Sequence, residues 1–161
     1  MKDVAIVMGS ISDLPTMQNS IDILQQLGVS YERFVISAHR MPREMIYFSE
    51  NAIDNGFKVI IAGAGGAAHL PGMIAASTIL PVIGVPVESK SLSGMDSLLS
   101  IVQMPGGVPV ATMSIGKAGA VNAAIMATKI CAINNEQYSK SLLDFKKEMH
   151  DNSVESGKRF E

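Results

Sequence analysis

Three short stretches gather the side chains in this sequence that can move protons or hold anions. Gly9-Ser10-Ile11-Ser12-Asp13 offers two hydroxyls and a carboxylate, and Ser37-Ala38-His39-Arg40-Met41-Pro42 offers a hydroxyl, an imidazole and a guanidinium. Gly63-Ala64-Gly65-Gly66-Ala67-Ala68-His69-Leu70-Pro71 sets a second imidazole among residues with almost no side chain. Histidine titrates nearest neutrality of all side chains, which suits His39 to proton transfer. A guanidinium grips phosphate through two parallel hydrogen bonds, which suits Arg40 to an anionic ligand. Pro42 confines the residue before it to extended conformations and so stiffens the loop that carries both.

Ser10, Ser12 and Asp13 stand where an apolar run gives way to a helical one. Free amides at a helix N-terminus favour an anion, but Ser and Asp are also the preferred caps there, so the two readings are evenly matched. Two serines and a carboxylate together exceed what one cap needs, and Asp13 fits a pair of ribose hydroxyls. The Gly/Ala stretch resembles a dinucleotide loop only weakly: it follows the third apolar run, and no acidic partner beyond Glu88 ends the next one. Its bare amides suit a carboxylate in a tight pocket. His69 either lines that pocket or is a hydrogen-bonded structural histidine, with equal weight. His150 lies on an amphipathic segment and reads as a solvated surface residue. Cys131, the only cysteine, excludes a disulfide within these 161 residues and a cysteine-based metal cluster, and reads as a small buried apolar residue.

The elements that must position these groups follow from periodicity. Val4-Ala5-Ile6-Val7-Met8 is a continuous apolar run ending at Gly9, the pattern of a parallel strand covered on both faces. It returns at Val59–Ala62 and Val82–Val85, with a weaker strand at Tyr31–Ile36 and a short one near Val110–Thr112. Helical spacing marks Met17, Ile21, Leu24 and Leu27 before Gly28, and residues 43–55 before Gly56. A long Ala-rich helix is predicted over 118–133, then another carrying Tyr138, Leu142, Phe145 and Met149. Strand and helix alternate, which predicts an α/β fold: a three-layer, doubly wound, flavodoxin-like parallel sheet of about five strands with a C-terminal helical extension. One domain is expected, with residues 1–134 as the catalytic body and 135–161 as a helix and tail of the same domain, docked on its own core or on a neighbouring subunit. The tail from Asn152 is polar and expected to be disordered. In such sheets ligands bind beyond the carboxyl ends of the strands, which is where all three reactive stretches fall.

Composition narrows the classes. Hydrophobic residues make up 47% of the chain and charged residues 17%, more apolar material than one small domain hides, so a symmetric homo-oligomer is expected. The net charge of −2, with signs mixed along the chain, leaves no basic stripe for nucleic acid. The opening apolar run is too short for a signal peptide, and no run approaches the ~20 residues of a membrane span, so a cytoplasmic protein is expected.

The runs MGSISD, SAHRMP, AGAGGAAHLPGM, PVIGVPV, SGMDSLLSIVQMPGGVPVAT and IGKAGAVNAA resemble, in that order, those of the N5-carboxyaminoimidazole ribonucleotide mutase family, over about Val4 to Ala132. The resemblance implies a purine-biosynthesis enzyme that moves a carboxylate from an exocyclic nitrogen to a ring carbon of an aminoimidazole ribonucleotide. It further implies an octamer with active sites between subunits, and no metal or organic cofactor. By position it makes His39 the catalytic acid and base, Ser10, Asp13 and Arg40 substrate-binding residues, and Ser12 and Ser37 their neighbours near the phosphate. Ala64, Gly65, Gly66, His69 and Leu70 would surround the migrating carboxylate. Met41 departs from the family's usual threonine. Related carboxylases that use free carbon dioxide tend to carry lysine where this chain has Arg40, which favours the mutase over that rival. The other rival, a non-catalytic nucleotide- or flavin-binding module, has little aromatic surface to stack on a flavin, with 5% aromatic residues and no tryptophan.

Overall fold

The computed structural model describes residues 2–160. Five parallel strands lie in the order β2-β1-β3-β4-β5: β1 (Val4–Met8), β2 (Tyr31–Val35), β3 (Val59–Gly65), β4 (Val82–Val87) and β5 (Ala111–Thr112). The interleaved helices are α1 (Leu14–Gln26), α2 (Pro42–Asn51), α3 (Leu70–Ala75), α4 (Met95–Val102), α5 (Gly116–Ala132) and α6 (Glu136–Gly157). This is the expected three-layer doubly wound sheet.

The continuous apolar runs are strands because both faces are covered. Val4, Ile6 and Met8 point to a core built with Met17, Ile21 and Leu24 of α1 and Ala120, Ala123 and Ala127 of α5. Ala5 and Val7 point the other way, to Met45 and Phe48 of α2, Ile74 of α3 and Ile101 of α4. Period-two alternation thus feeds two cores at once. β2 is an edge strand with exposed Glu32, Arg33 and Val35, which accounts for its weak pattern. The α5 alanines let that helix lie close to α1, where Ser20 Oγ donates to the Ala120 carbonyl at 2.6 Å.

Three of the helices that begin at the carboxyl rim carry proline in their first turn: Pro15 in α1, Pro42 in α2 and Pro71 in α3. Proline loses nothing at this position, because its missing N–H would have no partner inside the helix.

Two expectations are corrected. β3 does not stop at Ala62 but runs on through Gly63, Ala64 and Gly65, pairing Ala64 with Pro86 and Gly65 with Val87. β5 ends at the Gly84–Thr112 pair, so past it β4 has an open side, where a proline costs no ladder bond. The polar tail is helical as far as Gly157, with a single 3₁₀ turn over Lys158–Phe160, not disordered. It is an exposed continuation of α6, in which Ser153 Oγ donates to the Met149 carbonyl at 3.0 Å and Lys158 pairs with Glu155 at 3.0 Å.

The first turn of α6 is tied to the amino end of the sheet. Tyr138 Oη donates to Asp3 Oδ2 at 2.6 Å, Ser30 Oγ to the same oxygen at 2.9 Å, and Lys58 Nζ meets Oδ1 at 2.7 Å. Burial pushes the Asp3 carboxyl up, but the bonds from Lys58, Tyr138 and Ser30 together outweigh it and hold the group below its ordinary value.

Candidate active site

β1 ends at Met8, and the chain turns through Gly9 into one 3₁₀ turn, Ile11–Asp13, capped by Ser10. Ser10 Oγ accepts from the Ser12 N–H at 3.3 Å, while Asp13 Oδ2 accepts from the Ser10 N–H at 2.9 Å, a reciprocal capping box. Ser12 Oγ donates to Ser10 Oγ at 2.9 Å. The capping and ligand readings of this stretch therefore fall on the same atoms, since a cap that holds these side chains still also aims them. Asp13 is 8% exposed. Burial raises its carboxyl pKa, and the backbone N–H groups of Ser10 and Gly9 offset part of that rise.

Beyond β2 the chain makes a turn that carries His39 and Arg40, both exposed. Ser37 Oγ accepts from the Arg40 backbone N–H at 3.3 Å and from Arg40 Nε at 3.2 Å, so one hydroxyl fixes both the turn and the guanidinium. Met41, at φ −133° and ψ 53°, stays outside the helical region that Pro42 disfavours for the residue before it.

Beyond β3, Gly66 sits at φ +70°, a conformation open to glycine and costly for most other residues. His69 stands at the N-cap position of α3 without a side-chain cap bond, and Leu70, the next residue, is buried. The two histidines meet across the loops: His39 Nε2 lies 2.7 Å from His69 Nδ1, with ring planes at 89° and centroids 4.9 Å apart. A contact that short is a hydrogen bond, in which one ring presents its N–H and the other a lone pair.

One cavity of about 580 Å³ joins these elements. His39, Ser10, Ser12, Asp13, Ser37, Arg40, Ala64, Gly65, Gly66, His69 and Leu70 all line it, so every residue singled out from the sequence as a site residue is brought to one place. Sequence reasoning weighed Glu88 only against a dinucleotide pattern and did not count the end of β4 into the site, where Val87, Glu88 and Ser89 join the lining. The signal for it was available, because the carboxyl-end rule applies to the fourth strand as much as to the first three. The volume lies within the range of small-molecule sites. The lining combines a cation, two carboxylates, several hydroxyls and a hydrogen-bonded imidazole pair beside a wall of nearly bare backbone, which equips it to hold an anionic, hydroxyl-bearing ligand and move a proton on it. Among the described residues no three His, Cys, Asp or Glu side chains group as metal ligands. His150 lies far along α6, exposed, with Nδ1 3.1 Å from Asp151. Cys131 is buried, its thiol pushed up to about 11 by desolvation, then by the nearby Asp3 charge.

Comparison with known proteins gives consistent answers. The sequence model described as AIR carboxylase matches residues 3–152. The N5-carboxyaminoimidazole ribonucleotide mutase of Bacillus subtilis is 64% identical over 139 residues, 86% of each chain. That of Escherichia coli K12 is 56% identical over 153 residues, 95% of this chain and 90% of its own. The crystal structure of Treponema denticola PurE superposes with a TM-score of 0.87 at 23% identity, over 99% of this chain and 98% of that one, which establishes a shared fold.

Proposed function

The chain belongs to the AIR carboxylase family, and from that membership we propose that it is an N5-carboxyaminoimidazole ribonucleotide mutase, an isomerase of purine biosynthesis. The observation that carries the mechanistic part is the position of His39: at a strand tip, hydrogen-bonded to His69, on the wall of a cavity that also holds Arg40, Asp13 and the Gly/Ala stretch.

Arg40, with Ser10, Ser12 and Ser37, takes the phosphate, and Asp13 takes ribose hydroxyls. The carbamate on the exocyclic nitrogen lies against Ala64, Gly65, Gly66, His69 and Leu70. His39 protonates that nitrogen, and the N–C bond breaks to leave carbon dioxide beside the free aminoimidazole. The electron-rich ring carbon attacks the captive gas, and His39, now neutral, removes the ring proton. One imidazole delivers a proton and recovers one, so nothing is consumed. General acid and base help of this kind supplies about 10² to 10⁴ in rate. Holding the gas beside its acceptor supplies more, since well-oriented partners reach effective concentrations of roughly 10⁵ M or above.

The working enzyme is a cytoplasmic homo-octamer that uses neither metal nor organic cofactor. Ile79 at 87% exposed, Tyr47 at 70% and the apolar outer side of α4 support assembly, because a lone subunit would leave them in water.

The decisive experiment supplies the carbamate ribonucleotide without ATP and follows carboxylation of the ring carbon. Wild type turns over; His39→Asn binds the ribonucleotide with unchanged affinity and is inactive. An active His39→Asn enzyme would overturn the assignment. The name of the matching family model favours one second reading, direct carboxylation by dissolved carbon dioxide. Labelled bicarbonate enters the product within a single turnover only in that case.

A further inference from the structure

Gly66, where the glycine-rich stretch leaves the sheet, is held by one helix at both of its peptide groups. Its N–H donates to Ser97 Oγ at 2.9 Å, and the Ser97 hydroxyl donates onward to the Val87 carbonyl at 2.6 Å. Ser100, almost one turn along α4, donates to the Asp96 carbonyl at 2.7 Å and leans to the Gly66 carbonyl at 3.3 Å. Ser97 has no exposed surface, so water does not compete for its hydroxyl, which accepts once and donates once.

Gly65 and Gly66 have no side chains by which to be packed. A Cβ at Gly66 would meet nothing within 4 Å, so its backbone conformation, not crowding, calls for glycine. Consecutive glycines carry the largest conformational freedom of any residues, yet here they form the wall of a cavity that must stay closed around a small neutral gas. Gly65 is still held by its pairing with Val87, but Gly66 lies past the end of that ladder, and its restraint is supplied from outside by the two serines of α4, which lash it to the end of β4.

We propose that Ser97, with Ser100 in support, is a positioning residue for carbon dioxide retention: it keeps the Gly66 peptides in place while the carboxylate is between atoms. The proposal rests on the mutase reading. In the balanced step, the N–C bond breaks with its electron pair left on nitrogen, which takes the His39 proton. The ring-carbon pair then forms the new C–C bond, and the ring proton returns to His39. Ser97 contributes no atom and touches no substrate. It acts only on how long the gas stays.

The test is a single turnover with enzyme in excess, carbamate substrate labelled with ¹³C in its carboxylate, and unlabelled bicarbonate in the buffer. Wild type passes the label to the product. Ser97→Ala loses both of that hydroxyl's bonds, and the one to the Gly66 N–H sets the loop's open population, so exchange of the product carboxylate with bulk carbonate rises about tenfold, with affinity for the ribonucleotide unchanged. A merely structural role would lower the amount of active enzyme without changing the label carried by what it makes. Label retention equal to wild type overturns the proposal. Should Ser97→Ala fail to fold, Ser100→Ala, which removes the longer contact to Gly66 together with a bond internal to α4, is read in the same way: raised exchange supports the proposal and wild-type retention overturns it. Failure of the wild type itself to convert the carbamate, or its own uptake of bulk carbonate, defeats the mutase reading instead.

Discussion

Arg40 is gripped through its backbone N–H and Nε by the Ser37 hydroxyl, an arrangement that leaves the two terminal guanidinium nitrogens for a ligand. Arg40→Ala should weaken binding of a ribonucleotide about tenfold to a hundredfold, the worth of charge-assisted hydrogen bonds, and leave its nucleoside nearly unaffected. Calorimetric titration of both ligands checks it; equal losses would refute the phosphate role. These side chains were legible in the sequence because loop chemistry announces itself by residue type: a His-Arg pair before proline, or serines and an aspartate after an apolar run. Their mutual geometry was not. Nothing in the spacing of His39 and His69, thirty positions apart, says that their rings touch, since that contact depends on how far two different strands extend before they turn.

At the level of elements, patterns were readable where one side of an element differed from the other, and failed where the sides were alike. β1 and α1 declare themselves. The end of β3 does not, because Gly63-Ala64-Gly65 has no side chains to alternate, and only pairing with β4 keeps it extended. The periodicity did not single out α4, which is short and puts apolar Met95, Leu99 and Val102 outward while Ser97 is buried beside Ile101, so its sides do not sort by polarity. The α6 helix was visible, but not its anchor to Asp3. The Asp3 carboxyl titrates below its ordinary value of 3.8 in the folded chain, so its stabilisation is fully present above that value and is lost as pH falls through the lower folded one. Tyr138→Phe should therefore cost about 1.5 to 3 kcal/mol at neutral pH, as a bond to a charged group does, and the cost should shrink in strong acid. Urea unfolding at neutral and acidic pH measures both, and a pH-independent difference would argue against the ionised acceptor.

For the molecule as a whole, the outward side of α4 sets its limits. Leu92, just before the helix, then Met95, Leu99 and Val102 are 45–61% exposed, while Ser97 and Ile101 of the same segment are buried. If that stripe is a subunit contact, Leu99→Lys should raise the dissociation constant of the assembly about thirtyfold or more, the scale of a central interface residue, with the circular dichroism of the subunit retained. Sedimentation velocity distinguishes this from a variant that assembles like wild type, which would place the contact elsewhere. Composition announced surplus apolar material but could not say where it would surface, because that depends on which helix sides the sheet covers. The prolines that open α1, α2 and α3 carry a last consequence. Each narrows what the unfolded chain can do at the threshold of a ligand-bearing turn, so the entropy of setting those turns is spent when the protein folds. A ligand arriving later finds three sides of its berth already made, and keeps for affinity what it would otherwise forfeit to arranging them.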